Sequence, residues 1–540
     1  MPDMIPSDVF DQILNHIDDP IDILNFALSS KALYSVAVPR HLHYRDIRTP
    51  LYNPSLWASL YRKDDIRASH IHSLTILPDT VYDLMKTMIP CKDYDIRKRL
   101  DPNSTPYEPM IWDPDRGMDE YVEAEDSMIS ALERMVCLRR FAWYRVERPF
   151  FSGGNDLWTA LRNLGTIEEI DIYEGNYHRR SSESPPITAS STFFTFLGLT
   201  TLKIRTDNFS IHGPNGPSLP LMLEYMLLNN LPDLEVLVLE IEVRNELDRT
   251  ANVDHILQSA HWPRLRVLRF YGTSCRVAPL TRFLADHPSL EELALAKMMP
   301  GRLWPQLAAN LPHDALPNLR HLECAPHQAA ALLENLRPRL ETLLGINLQT
   351  EVRDSNYFSF FDEIVFPSSR EAAEFYERAE ETRASSWRDL LLRGLERHRT
   401  ITRLGLSLIH SVVEAAEFAV IAPQTSEIDI EFEANGRIPE TELFSMYALF
   451  PALEVVHVYC LMMLPIGPLT PESWVPMNNR VQAFARACPR LRVIWAVDMK
   501  KLVIIRDDKD IKLCGVKWVI RPWTANEEPE ARSGETVFGP

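Results

Sequence analysis

The chain of 540 residues has only 18 glycines, 7 cysteines and no run of eighteen apolar residues. Each shortage excludes something. Few glycines leave little for phosphate-cradling loops, and neither Gly-x-Gly-x-x-Gly nor a Walker-type loop occurs. The cysteines, at 91, 137, 275, 324, 460, 488 and 514, are odd in number and never spaced Cys-x-x-Cys. That predicts reduced, mostly buried thiols, with neither a disulfide framework nor a zinc ribbon. The most apolar stretch, 455–469, contains His457 and is broken by Pro465 and Gly467, so no membrane span is expected. Asp3, Asp8 and Asp11 stand where a secretory leader needs cations, and the expected location is intracellular, cytoplasmic or nuclear. Positive charge is also short: 57 Lys plus Arg face 75 Asp plus Glu, a net charge of −18. A general nucleic-acid binder, which needs clustered cations against phosphate, is not expected.

Signatures of catalysis are missing too. There is no Gly-x-Ser-x-Gly elbow and no His-Glu-x-x-His. The pairs His41/His43 and His70/His72 alternate like strand residues without Cys or carboxylate neighbours in sequence, so no metal is expected. No catalytic residue and no cofactor is assigned. With 45% hydrophobic and 24% charged residues, the composition is that of a globular protein able to bury a large core.

What the sequence does contain is a repeat. An apolar residue, two variable residues, a second apolar residue, one variable residue and a third apolar residue recur, often with Pro two places earlier. The clearest copies are Pro232-x-Leu234-x-x-Leu237-x-Leu239, Pro263-x-Leu265-x-x-Leu268-x-Phe270, Pro288-x-Leu290-x-x-Leu293-x-Leu295 and Pro317-x-Leu319-x-x-Leu322-x-Cys324. Others begin at Ile71, Leu138, Ile167, Leu199, Leu340, Ile401, Ser426, Leu453 and Leu491. Seven of the thirteen carry the preceding Pro, where 40 prolines in 540 residues would place about one by chance. The period is that of a leucine-rich repeat or a close relative.

Alternation in the second half of the motif predicts a short strand, and Pro just ahead stops an incoming helix. Amphipathic segments at 278–287, 327–337 and 481–488 supply such helices. The fold expected is α/β: an irregular leucine-rich-repeat-like solenoid over 49–521, with a parallel sheet on the concave side, helices on the convex side and an insertion at 345–400. The asparagine ladder of a standard repeat is missing. Lys501 to Arg506 and Ile511 to Arg521 read as a closing hairpin, and 522–540 as a disordered tail. The variable strand positions expected to face a protein substrate are Tyr144, Tyr173, Arg205, Val238, Arg269, Tyr271, His321, Arg403, Asp429, His457, Tyr459 and Trp495. Tyr, Trp and Arg combine contact area with polar handles and anchor interfaces.

Residues 1–48 differ in kind. Ser7 or Asp8 can cap a helix presenting Val9, Ile13, Leu14 and Ile17. Asp18-Asp19-Pro20 breaks the chain, a second helix presents Ile23, Leu24, Ala27 and Leu28, and a third carries Leu33, Val36 and Ala37. Ile5-Pro6, Ile13-Leu14, Asp19-Pro20, Asp22-Ile23-Leu24, Ala27-Leu28-Ser29-Ser30-Lys31 and Leu33-Tyr34 fall in order on a known pattern, and His43 to Ile47 looks like the strand that follows it. The segment resembles the F-box, and its place ahead of leucine-rich repeats resembles the F-box proteins abundant in mushroom-type fungi. Ile5 stands where Leu is usual, and the Trp many members place near Tyr34 is absent.

The resemblance implies docking on a Skp-family adaptor, and through it a cullin-based ubiquitin ligase, by Ile5, Pro6, Val9, Ile13, Leu14, Ile17, Leu24 and Leu28. It implies a non-catalytic substrate receptor. The alternative is a non-degradative interaction scaffold whose F-box is vestigial.

Overall fold

The computed structural model describes residues 7–15, 17, 20–38, 41, 44–62, 66–77, 118–144, 157–174, 192–206, 211–213, 216–218, 221–241, 251–295, 310–312, 315–335, 339–347, 388–407, 412–431, 440–458, 481–496, 501–506, 513–519 and 537–538. The fold is mixed α/β around mostly parallel sheet. Two compact units divide the chain, Met1–Ile89 with Glu108–Glu242, and Pro90–Tyr107 with Val243–Pro540.

In the first unit, three short helices, α1 (Ser7–Asn15), α2 (Pro20–Leu28) and α3 (Lys31–Ala37), precede six parallel strands. These are β1 (Asp46–Pro50), β2 (Ser73–Leu77), β3 (Arg140–Trp143), β4 (Glu169–Glu174), β5 (Thr201–Thr206) and β6 (Val236–Ile241). Each pairs with the next in chain order. The central apolar residues of this unit's motifs, Leu74, Phe141, Ile170, Leu202 and Leu237, lie in one register row with Ile47 of β1, and all six are buried. Aromatic rings thicken this core: Trp158, on helix Leu157–Leu164, meets Phe193 at 5.1 Å and Phe141 at 6.0 Å, edge to face.

The second unit repeats the plan. Parallel strands β7 (Val267–Tyr271), β8 (Glu292–Ala294), β9 (His321–Glu323), β10 (Thr342–Asn347), β11 (Arg403–Ser407), β12 (Glu427–Glu431), β13 (Val455–Val458) and β14 (Val493–Ala496) pair in order. Their buried row is Leu268, Leu293, Leu322, Leu343, Leu404, Ile428, Val456 and Ile494. Each such side chain contributes roughly 1.5–3 kcal/mol on burial, which makes the row the main source of cohesion. Then β15 (Lys501–Arg506) and β16 (Leu513–Val519) join antiparallel, as the hairpin expectation had it.

Proline does more than stop a helix. It is the second residue of a β-turn joining helix to strand: Leu265 N donates to Trp262 O (3.0 Å) around Pro263, and Leu491 N to Cys488 O (3.0 Å) around Pro489. Successive turns are then tied by side chains. Thr166 Oγ1 donates to Leu138 O (2.6 Å), Ser289 Oγ to Leu265 O (2.7 Å) and Thr400 Oγ1 to Leu340 O (2.7 Å), while the amides of Asn318 and Gln424 reach Pro288 O and Ile401 O. This ladder of mixed donors stands where an asparagine ladder is missing. The carbonyl before most of the parallel strands completes the joint by accepting two N–H groups of the next repeat, as Arg139 O does from Glu168 (2.8 Å) and Glu169 (3.0 Å).

Several sequence boundaries move. The copy placed at Ser426 begins at Thr425, which is fully buried and closes the turn to Ala422 O at 3.1 Å; threonine hid it by replacing the apolar residue. Residues 46–48 belong to β1, so a boundary at 48 cuts a strand. The insertion assigned to 345–400 loses both ends: 345–347 complete β10, and 388–397 form a helix leading to the turn before Ile401. Gly345, at φ +79, sits in a β-bulge where a Cβ would lie 3.0 Å from Cys324 O. Val537–Phe538 pairs antiparallel with β16, so the expected tail ends in a strand, consistent with the β preference of both residues.

Candidate interaction surfaces

The three N-terminal helices bury Leu14, Ile23, Ala27, Ala37 and Val38, with Ile17, Phe26 and Val36 packed alongside. Phe10 of α1 meets Phe26 of α2 at 6.0 Å between centroids. Ser30 caps α3, its Oγ accepting from Leu33 N at 3.1 Å. The helix period therefore splits the predicted adaptor-binding set. Leu14 is fully buried and belongs to the bundle's core, which corrects its assignment to a docking surface, and Ile17 is half-buried against the same core. Val9 and Ile13, one turn apart on α1, remain 42% and 44% exposed, and Leu24 and Leu28, one turn apart on α2, 42% and 66%. Tyr34 adds a half-exposed ring. Ile5 and Pro6 lie outside the described residues.

Arg45 joins this bundle to the sheet, and sequence reasoning missed it. Only 4% exposed, it donates from one guanidinium nitrogen to Leu14 O (3.1 Å) and from the other to Ile17 O (2.5 Å), capping the end of α1 with a cation. Its own carbonyl accepts from His72 N and Ser73 N as β2 begins. Nothing in the apolar periodicity marks it.

On the strands, alternation leaves many of the second residues half-exposed, although Thr75, Val238 and Ala294 are buried, and there the set expected to face a substrate divides. In the first unit the structure brings Tyr144 and Arg205 together through Asp171. Tyr144 Oη donates to Asp171 Oδ2 (2.9 Å), and Arg205 bridges Asp171 Oδ1 (2.9 Å) and Glu240 Oε2 (3.0 Å) on opposite neighbouring strands. Burial, then the Asp171 carboxylate, pushes the Tyr144 phenol far up, so it remains a donor. Burial works against the Arg205 cation, but Asp171 and Glu240 together outweigh it. Tyr173 stands half-exposed in register with Arg205, while Val238 is buried. Asp171 and Glu240 had no signal in the motif beyond their outward register.

In the second unit, Arg269 pairs closely with Glu292, and Tyr271 lies half-exposed at the end of the same strand. His321 is exposed. Glu427 receives two of the predicted residues: Arg403 Nε at 3.1 Å and His457 Nε2 at 2.6 Å. Burial alone would raise the Glu427 carboxyl, but the His457 hydrogen bond and the Arg403 charge hold it below its ordinary value. Asp429 is half-exposed in register with His457. Trp495 sits opposite His457 in the backbone register, and its side chain, like all of Tyr459, is outside the described residues. Along the rim where strands begin, Arg266 grips Glu291 through two bonds (3.0 and 2.8 Å), and Arg320 faces Glu341 at 3.9 Å. Exposed pairs of this kind contribute little stability, but like charges in adjacent repeats would oppose the register.

Much of this charge is locally balanced, Arg140, Arg205, Arg266, Arg269, Arg320 and Arg403 each being met by one or two carboxylates. Such a face suits recognition by shape and mixed polar contacts more than capture of a bare anion. Among the described residues, no group of three or more His, Cys, Asp or Glu converges as metal ligands, although His41 and His70 meet edge to face at 5.1 Å. Among them, too, no helix is long and apolar enough to cross a membrane. No family model matches the chain, and no curated protein matches it.

Proposed function

We propose that the chain is the substrate-receptor subunit of a cullin-based ubiquitin ligase, its first helices an F-box that docks a Skp-family adaptor and its strands leucine-rich-repeat-like stacks that hold a protein substrate. The observation that carries this reading is the split of the N-terminal apolar residues. Leu14, Ile23 and Ala27 close a small core, while Val9, Ile13, Leu24 and Leu28 stay on the surface in two one-turn pairs. A bundle that only capped a sheet would have no use for a second apolar face. At their present exposure, covering these four side chains contributes about 1 kcal/mol each, enough to decide binding. The outward Tyr and Arg residues supply the substrate-facing half. Ubiquitin transfer would be performed by other subunits, this chain supplying proximity and orientation.

The test is co-expression of the full chain with a Skp-family adaptor, beside an Ile13→Asp/Leu28→Asp variant. Both residues are on the surface, so the variant keeps its fold and loses the adaptor. Capture by the variant at wild-type level refutes this docking surface, and no capture by folded wild type refutes the receptor reading.

A further inference from the structure

The cations of this chain are segregated by type. Residues 99–499 contain 36 arginines and 2 lysines, Lys203 and Lys297, while the rest of the chain contains 9 arginines and 10 lysines. A compositional bias acting on the whole chain would set one ratio throughout. The ion pairs account for part of the segregation. Arg205 needs its fork to reach two strands, and Arg266 binds Glu291 through two nitrogens, tasks an ammonium cannot perform. They do not account for exposed positions such as Arg282, which is 75% exposed and only faces Asp286 one turn on at 3.7 Å, where lysine would serve equally. Arg320, Arg393 and Arg399 are exposed as well.

Arginine and lysine share a charge and differ in one reaction. A lysine amine that has given its proton to solvent attacks the carbonyl carbon of a ubiquitin thioester. A C–N isopeptide bond forms, the nitrogen gives a second proton to solvent, the C–S bond breaks, and the conjugating enzyme's cysteine leaves as thiolate. A guanidinium, protonated at all accessible pH, offers no such nucleophile. We propose that residues 99–499 are kept nearly free of amines because their surface works beside a ubiquitin thioester, and that self-modification is confined to the lysines at 31–98 and 500–517. Lys203 fits this reading, being held 3.9 Å from Asp171 with its side chain 35% exposed. Lys31, by contrast, opens α3 in an exposed position. The inference rests on the receptor reading and adds which sites accept ubiquitin.

The experiment compares wild type with Arg282→Lys/Arg320→Lys/Arg393→Lys, three charge-conserving changes at exposed positions, in full-length complexes with the adaptor, cullin and RING subunits. Activating and conjugating enzymes, ubiquitin and ATP are added, and isopeptide remnants are mapped by mass spectrometry. In wild type the remnants fall on the terminal lysines, and in the variant all three new lysines are modified and total self-modification rises several-fold. If the adaptor is present and the terminal lysines are modified while the three new lysines stay clean, the inference is overturned and the receptor reading stands. If the adaptor is absent from the complex, the receptor reading falls and this inference with it.

Discussion

Replacing Arg45 with Met keeps most of the side-chain volume and removes every donor. In the wild type, one nitrogen satisfies Leu14 O in a buried contact and the other Ile17 O in a half-buried one. Hydrogen bonds from a charged donor contribute roughly 1.5–3 kcal/mol each, and the buried Leu14 carbonyl keeps only the longer bond from Ile17 N at 3.3 Å. The half-buried carbonyl can rehydrate, and relief from burying a cation offsets part of the loss. The net cost is about 2–4 kcal/mol, a local opening roughly 30- to 1000-fold more frequent. It falls on the helices, because the Arg45 backbone carbonyl that receives His72 N and Ser73 N is untouched.

Hydrogen–deuterium exchange separates the two sides of this joint. Residues 7–38 should exchange faster in Arg45→Met by that factor, while 73–77 and 140–143 keep their protection. An Arg45→Lys variant should recover one contact and fall between. Unchanged exchange over 7–38 would refute the role assigned to Arg45. Equal loss over helices and strands would show instead that the bundle and sheet open as one unit.

Glu427 predicts a pH dependence of definite sign. Its folded carboxyl lies below its ordinary value, so its stabilisation is present above about pH 4.3 and is lost as pH falls through the lower folded value. The urea midpoints of wild type and Glu427→Gln should therefore converge between pH 6.5 and 3, and a constant gap refutes the assignment. Gly345→Ala places a Cβ against Cys324 O in a left-handed conformation, a loss of at least about 1–2 kcal/mol read as a lowered Tm; an unchanged Tm would show that the bulge relaxes freely.

Legibility in the sequence follows the range of the forces involved. Burial is a property of one residue and its strand period, so Leu234, Leu237 and Leu239, or Leu265, Leu268 and Phe270, announce themselves by spacing alone, and all six are buried. Polar joints are properties of pairs brought together by the fold. Thr166, Ser289 and Thr400 share a position in the motif, but position alone does not say that each hydroxyl reaches back across a turn to a carbonyl 24 to 60 residues earlier. Asp171 reads as one of many acids until Tyr144 and Arg205 converge on it from either side.

The same distinction separates the two halves of the candidate surface. On the helices, 3.6-residue periodicity identified the apolar set as a whole; burial then divided it, sending Leu14 inward and leaving Ile13, its neighbour in sequence, outside. On the strands, alternation settles which residues point outward, yet the outward residues differ in what remains available to a partner. Arg205, Arg269 and Arg403 are already engaged by carboxylates, so a partner must compete with Asp171, Glu240, Glu292 or Glu427 for them. A ligand that contacts these arginines without disturbing their ion pairs gains shape complementarity at little electrostatic cost. One that breaks them must supply a carboxylate of its own in the same geometry. In either unit, a partner binding at such an arginine would be selected by rejection as much as attraction, because a misplaced acid meets a carboxylate already seated beside the cation it seeks.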